Sequence, residues 1–459
     1  MSIFRLLIEP DKISSMHRVL VLGSGMIARP LINYLLENGC RVKIACNTCN
    51  KAQKILKNHP NGEIIYWEAD NISELKPMVE EAEVVVSLLP YKYHTRVARV
   101  CIDHKKHMVT TSYVKQEMSE LDEAAKKAGV IILNEIGLDP GIDHMSAMRI
   151  IDNVQNRGGS IEKFWSLCGA LPAPECADNP LGYKFTWSPE GVLLAGLNDA
   201  RYLDNGEIVS IHPEELFRKT FNYEIRDIGT LEVYANRDSI DYINIYGLGD
   251  IKTMFRGTFR FSGWCETIDA LKSLNLLNRE KEDLKGKTYA ELVRARIGQG
   301  KKPLKEQLAD HLDLRKDSAA VRSFEWLGLF NETKIPASMN SSFEMISDLM
   351  MGKMILKEDE RDMIILKHIF LARHKDGSKE IISSQMIDYG SPSTDTSISR
   401  TVALPAAVAV KLILEGRISI KGVYRPIRKE IYVPVLSRLE KMGIKTVEEY
   451  GLSDNELVF

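Results

Sequence analysis

HRVLVLGSGMIARPLINYLLENG, residues 17–39, is the stretch that decides the fold. His17 to Leu22 is a β-rich run ending on Gly23. From Ile27 to Asn38 apolar residues recur at helical spacing, and Gly39 stops that helix, as a glycine just past a C-terminus does. The junction Gly23-Ser24-Gly25-Met26-Ile27-Ala28 fits the pattern G-x-G-x-x-A. Gly23 permits a tight turn, Gly25 lets the backbone approach a pyrophosphate, and Ala28 allows close helix–sheet packing. The helix start adds N–H donors and a partial positive charge. Strand, motif, helix and second strand together separate this from a chance glycine turn.

The same rhythm continues outward. Strand patterning recurs at Arg41 to Cys46, Glu63 to Trp67, Val84 to Leu88, His107 to Thr110 and Val130 to Leu133. Helical stretches lie between, one capped by Thr48 and running to Asn58, others at Ser73 to Glu81, His94 to Lys105 and Ser119 to Ala128. Repeated βα alternation with right-handed crossovers predicts an α/β fold with a doubly wound parallel sheet of Rossmann type. After His144 the pattern changes: Ala170 to Gly191 is rich in Pro and Gly, and the strand Thr230 to Ala235 has no evident partner. Glu266 to Leu329 is charged and helical. Strands resume at Met363 to Arg373 and Glu380 to Met386, with Asp376-Gly377 as hairpin turn, and Ala403 to Glu415 and Val433 to Met442 are helical. The expected organisation is a dinucleotide-binding domain over 1–145 and 400–459, a mixed α/β substrate domain over 146–265 and 335–399, and a helical insert over 266–334.

Composition narrows the function classes. In 459 residues, 61 basic and 63 acidic side chains leave a net charge of −2, so no global charge draws the chain to nucleic acid or an anionic membrane. Met1 to Ser15 has one Arg and is interrupted by Glu9 and Asp11, unlike a secretory or transit peptide. The longest apolar run, Thr401 to Leu414, contains Pro405 and falls short of a span. Seven cysteines without a signal peptide read as reduced thiols, and a cytoplasmic setting is expected. A sheet in the substrate domain is able to support a homodimer.

The end of the second strand chooses the cofactor. An Asp or Glu there would hold the ribose 2′-hydroxyl of NAD. Ala45-Cys46-Asn47-Thr48-Cys49-Asn50-Lys51 carries no acid, offers donors at Asn47 and Thr48 and a charge at Lys51, and so favours NADP. Cys46 and Cys49 form a lone C-x-x-C pair with no second pair to complete a zinc site. His104 and His107 are read as surface histidines, and no metal is expected.

Past the cofactor turn, dense blocks resemble saccharopine reductase: Ser87-Leu88-Leu89-Pro90-Tyr91, Thr111-Ser112-Tyr113, and Asn134 through Gly137-Leu138-Asp139-Pro140-Gly141 to His144. Cys168 to Pro174, Asn179 to Phe185, Trp187-Ser188, Asn236-Arg237-Asp238-Ser239 and Arg256-Gly257-Thr258-Phe259-Arg260 complete the set, which spans essentially the whole chain. The resemblance implies NADP contacts at Gly23, Ser24, Gly25, Met26, Ile27, Cys46, Asn47, Thr48, Asp70, Asn71, Leu89, Thr110, Thr111, Ser112, Leu138, Asp139, Pro140 and Ser188. It implies substrate contacts at Ser112, Tyr113, Asp139, Arg237, Thr258, Phe259 and Arg260. The departure is Asn47, where fungal relatives carry Arg, and it bears on the strength of the NADP preference.

The implied reaction is reversible and belongs to lysine metabolism. Glutamate's amine condenses with aminoadipate semialdehyde, and the imine is reduced to the secondary amine of saccharopine, a CH–NH oxidoreduction. Three carboxylates ask for fixed cations, and Arg237 and Arg260 suit them through paired hydrogen bonds; Arg256 can serve there or in a surface ion pair. Asp139, Tyr113 and Cys168 are the candidates for catalysis, Asp139 and Tyr113 with either proton transfer or orientation open to them and Cys168 with a plain buried-thiol role beside it. Two other readings stand next to this one: a related imine-reducing enzyme such as carboxynorspermidine dehydrogenase, and a non-catalytic dinucleotide-binding protein.

Overall fold

A computed structural model describes residues 16–458, so the reading of Met1 to Ser15 lies outside the described residues. The first compact unit comprises residues 16–145 and 399–439. Its strands are β1 (Arg18–Leu22), β2 (Arg41–Cys46), β3 (Gly62–Tyr66), β4 (Val84–Ser87), β5 (His107–Thr110) and β6 (Ile131–Leu133). A short strand, Gly422–Tyr424, extends the sheet beside β6. All pairings are parallel, in the order Gly422–Tyr424, β6, β5, β4, β1, β2, β3. Helices cover a parallel sheet on both faces, so its central strands read as unbroken apolar runs: Val84, Val85 and Val86 are all buried. The chain leaves β1 toward β2 and β3 and later returns to β4 on β1's other side. Strand order reverses between β1 and β4, the point at whose C-terminal strand ends open α/β sheets bind their ligands.

The second unit comprises residues 146–398 and 440–458. It holds a nine-stranded mixed sheet built from β7 (Ser160–Pro172), β8 (Ala200–Asp204), β9 (Glu207–Ile211), β10 (Thr220–Ile225), β11 (Gly229–Ala235), β12 (Thr253–Arg260), β13 (Asp362–Arg373) and β14 (Lys379–Tyr389), with the strand Val447–Leu452 outside β14. β12 and β7 run parallel; the other pairings are antiparallel. β11, without an evident partner in the sequence, lies between β10 and β12.

Two expected boundaries shift. The sequence pattern puts residues 440–459 in the dinucleotide domain, but Val447–Leu452 pairs antiparallel with β14, so 440–458 belong to the second unit. The helices of 266–334 form no separate body: Ile268, Leu271, Val293, Phe324 and Leu327 share one apolar cluster with Leu231, Val233 and Ile365 of the sheet. Short charged helices bury their apolar stripes most economically against an existing core. Thr401 to Leu414 also needs correction. The helix Ser397–Leu414 reaches the length and mean hydropathy of a membrane span, but 78% of that window is buried within the protein, which is how a core helix behaves.

Candidate functional site

In the first unit the glycine turn has the geometry that a dinucleotide requires. Gly23 has φ +102° and donates its N–H to Ala45 O at 2.9 Å, tying β1's end to β2. A Cβ added at Gly25 would meet nothing within 4 Å, so the backbone there borders open space that a phosphate can approach. The helix Ala28–Glu37 begins just beyond. Ser24 is buried and its hydroxyl donates to Thr48 O at 3.4 Å; Thr48 in turn donates to Asn47 Oδ1 at 3.2 Å. Asn47 and Thr48 are exposed and carry no acid, a donor set that suits a ribose phosphate. Met26 is exposed, and Ile27 and Leu89 are half-buried. Asp70 accepts from Tyr93 Oη at 3.1 Å, and Asn71 O accepts from Trp67 Nε1 at 2.9 Å, so both hold the loop after β3. Cys49 Sγ donates to Cys46 O at 3.8 Å, and burial raises the Cys46 thiol above its ordinary value.

β5 and β6 bring the remaining first-unit candidates together. Thr110 is fully buried at the end of β5, with Thr111 and Ser112 half-buried after it. Tyr113 is exposed, and its hydroxyl donates to Asp139 Oδ1 at 3.4 Å. Leu138 and Pro140, flanking Asp139, are buried. Sequence reasoning passed over the two side chains that organise this loop. Glu135 is buried with φ +57°, a backbone region that non-glycine residues occupy at a cost. Its N–H donates to Ser112 O at 3.1 Å while its Oε1 accepts from Val114 N at 2.7 Å, which brackets Tyr113 on both sides. Arg425 Nε at 2.8 Å and His144 Nε2 at 2.8 Å complete the carboxylate's shell. Burial works against the charge, but His144 and Arg425 hold the carboxyl below its usual range. The second omission, His94, bonds Ser87 Oγ through Nδ1 at 2.9 Å and Ser112 Oγ through Nε2 at 2.8 Å. Burial pushes its pKa down to about 4, so the ring is neutral. A His seven residues past the Ser that ends β4 was the one available signal.

The histidines read as surface groups are not so. His104 is half-buried and pairs with Glu80 at 3.1 Å. His107 Nδ1 accepts from Ile131 N at 3.1 Å, and burial lowers its pKa to about 4.

In the second unit, Arg260 ends β12 with its side chain buried. Its Nη1 donates to Phe259 O at 2.9 Å and its Nη2 to Tyr234 Oη at 3.2 Å, while Nε has no hydrogen-bond partner. The guanidinium lies 5.1 Å from the Tyr183 ring, 5.4 Å from Trp264 and 5.6 Å from Tyr234. Tyr183 Oη and Trp264 Nε1 are likewise buried without a partner. Glu232 stands opposite Arg260 in the ladder, but among the described residues no carboxylate forms an ion pair with it. Thr258 shares Arg260's face of β12, and Cys168 of β7 is Thr258's ladder neighbour. Cys168 is buried. Phe259 points the other way, into the core, so only its backbone is available to a ligand. Arg237 is exposed in a left-handed turn (φ +55°) after β11, close enough to lower the Tyr234 phenol's pKa against the larger effect of burial. Arg256 is buried rather than at the surface, and its guanidinium lies 4.1 Å over the Tyr242 ring. Ser188 caps the helix Pro189–Ala195 by accepting from Gly191 N at 3.2 Å.

Residues 19–133 match the family pattern described as saccharopine dehydrogenase NADP binding domain, and residues 137–444 match the saccharopine dehydrogenase C-terminal domain. The chain belongs to the saccharopine dehydrogenase family. Among family members, the saccharopine dehydrogenase [NADP(+), L-glutamate-forming] of Pyricularia oryzae is 36% identical over 94% of this chain and 98% of its own length. The Saccharomyces cerevisiae enzyme of the same name is 37% identical over 94% and 98%. The mitochondrial alpha-aminoadipic semialdehyde synthase of Rattus norvegicus is 36% identical over 94% of this chain, which spans 47% of that longer protein. A solved apo structure of the L-Glu-forming saccharopine dehydrogenase from Saccharomyces cerevisiae superposes with a TM-score of 0.88, covering 95% of this chain and 99% of that one at 36% identity.

Proposed function

We propose that this chain interconverts saccharopine with L-glutamate and aminoadipate semialdehyde, using NADP. The observation that carries the reading within the family is Arg260: a buried guanidinium that forms no ion pair among the described residues, with an orphaned Nε–H beside two further orphaned donors. Burying an unpaired charge is costly, and a ligand carboxylate would compensate for it. Arg237, exposed in the turn after β11, is assigned to another of the substrate's carboxylates.

Gly25, the N-terminus of helix Ala28–Glu37, Asn47 and Thr48 are assigned to holding the dinucleotide. When bound, NADP exchanges a hydride with the carbon of the CH–NH bond. Asp139 is assigned to the substrate's secondary ammonium, and Tyr113, hydrogen-bonded to it, to orienting that carboxylate and handing a proton to or from the nitrogen. Thr258 lines the same face as Arg260 and is given a hydroxyl contact to substrate; Cys168 beside it is assigned a packing role. A cytoplasmic setting and a homodimer resting on the second sheet are part of this proposal. They are tested by fractionation and by the molar mass from light scattering.

The direct test is steady-state oxidation of saccharopine with NADP and then NAD, following glutamate. Glutamate formed in step with NADPH, faster than with NAD, is expected. A folded protein that binds NADPH but releases no glutamate ends the assignment. Arg237→Ala should raise the KM for saccharopine well above any change for NADP.

A further inference from the structure

We propose that His94 is a positioning residue of the dinucleotide site, fixing the direction in which the Ser112 hydroxyl meets the bound cofactor. The inference rests on the reading of Ser112 as a cofactor contact.

Ser87 is the last residue of β4, the strand beside the point where the sheet order reverses, and Thr110 is the last of β5. Ser112 follows two residues later. His94 begins the helix His94–Asp103 and is 4% exposed. Its two nitrogens take one serine each, Ser87 at 2.9 Å and Ser112 at 2.8 Å, with Thr110 Oγ1 at 3.4 Å from Nε2. A neutral imidazole has one donor and one acceptor, so the two nitrogens impose complementary roles on the two hydroxyls. Ser87 is fully buried and spends its hydroxyl within the protein. Ser112 is only half-buried. If it donates to the ring, its lone pairs are left for an incoming donor; if it accepts, its hydrogen is left for an acceptor. In both tautomers the free direction is set by a ring that is itself anchored at its other end. Ser112 O is also held, by Glu135 N at 3.1 Å, so backbone and side chain are both fixed. Burial keeps the ring neutral well below physiological pH, so the arrangement does not change state there.

A plain staple between β4 and β5 would act on stability alone; a positioning residue acts on the ligand through Ser112. A double-mutant cycle separates the two. NADPH dissociation constants are measured by cofactor fluorescence for wild type, His94→Phe, Ser112→Ala and the double variant, with thermal midpoints of the apo forms. His94→Phe is expected to weaken NADPH about three- to tenfold in the wild-type background, the value of one net hydrogen bond, and under about twofold when Ser112 is already Ala. His94→Gln, keeping one donor and one acceptor, should regain part of the loss. An equal factor in both backgrounds, or an unchanged dissociation constant in folded His94→Phe, overturns the proposal. If His94→Phe does not fold, His94→Gln carries the cycle under the same criterion. Saccharopine turnover by wild type is scored separately: NADPH binding without glutamate formation removes the proposed function and leaves the cycle readable.

Discussion

Arg260→Met sets ligand binding against stability at one position. In the apo protein the substitution loses two hydrogen bonds, to Phe259 O and Tyr234 Oη, worth about 1 kcal/mol each. It also loses three ring contacts at 5.1–5.6 Å, roughly 0.5–1 kcal/mol apiece. Against this stands relief from burying an unpaired guanidinium, which costs several kcal/mol after relaxation. The opposing effects are of similar size, so the apo thermal midpoint should move by no more than a few degrees. Substrate binding has no such offset. Removing one partner of a buried charge-assisted pair costs about 2–5 kcal/mol, roughly 30- to 5000-fold in kcat/KM for saccharopine. The assays are steady-state kinetics with both substrates varied, and a thermal shift with and without saccharopine. Wild type should be stabilised by saccharopine and the variant hardly at all, with the NADP KM little changed. A variant that unfolds many degrees earlier and loses NADP and saccharopine affinity together would show the guanidinium to be structural, and the reasoning would fail.

Glu135→Gln should destabilise the first unit by about 3–5 kcal/mol at neutral pH, because a buried carboxylate paired with His144 and Arg425 is replaced by a neutral amide; denaturant midpoints check this. The Glu135 pKa is depressed in the fold, so its stabilisation is present above pH 4.5 and lost as pH falls through the folded value, and the variant should show a shallower acid limb. His94 and His107 have folded pKa values of about 4, below the ordinary 6.5. The unfolded chain therefore takes up protons first, and stability should decline as pH drops from 6.5 toward 4; a flat calorimetric profile across that window would contradict the burial of both rings. Gly25→Val adds a side chain into open space, so the fold should keep its midpoint while NADPH titration shows at least a tenfold loss; equal loss of both would mean the turn itself is strained. Asn47→Arg places a guanidinium at the exposed end of β2 and should raise the NADP-to-NAD ratio of kcat/KM by several-fold, with an unchanged ratio counting against a 2′-phosphate seat there.

The sequence by itself determined the parallel sheet, the turn at Gly23 to Ala28 and the absence of an acid after β2. These are local matters: strand, turn and helix lie within 23 residues, and helical and strand periodicities differ enough to be read directly. The family blocks also drew attention to Tyr113, Asp139 and Arg260. Only the tertiary structure decided what surrounds them. Residue 440 onward joins the second sheet because Val447–Leu452 pairs with β14, a long-range ladder with no local signature. The 13-residue β7, buried along most of its length, does not alternate, so it gave no strand signal, and its last three residues fall in the Pro- and Gly-rich stretch Ala170 to Gly191. Glu135 and His94 escaped notice because a buried polar side chain is defined by its partners: Arg425 lies 290 residues from Glu135, and Ser87 and Ser112 reach His94 only because two strand ends meet at its ring. That Arg260 forms no ion pair among the described residues, although Glu232 stands opposite it in the ladder, is likewise a fact about space: a sequence supplies charges, but only the fold decides which of them are left to be answered by a ligand.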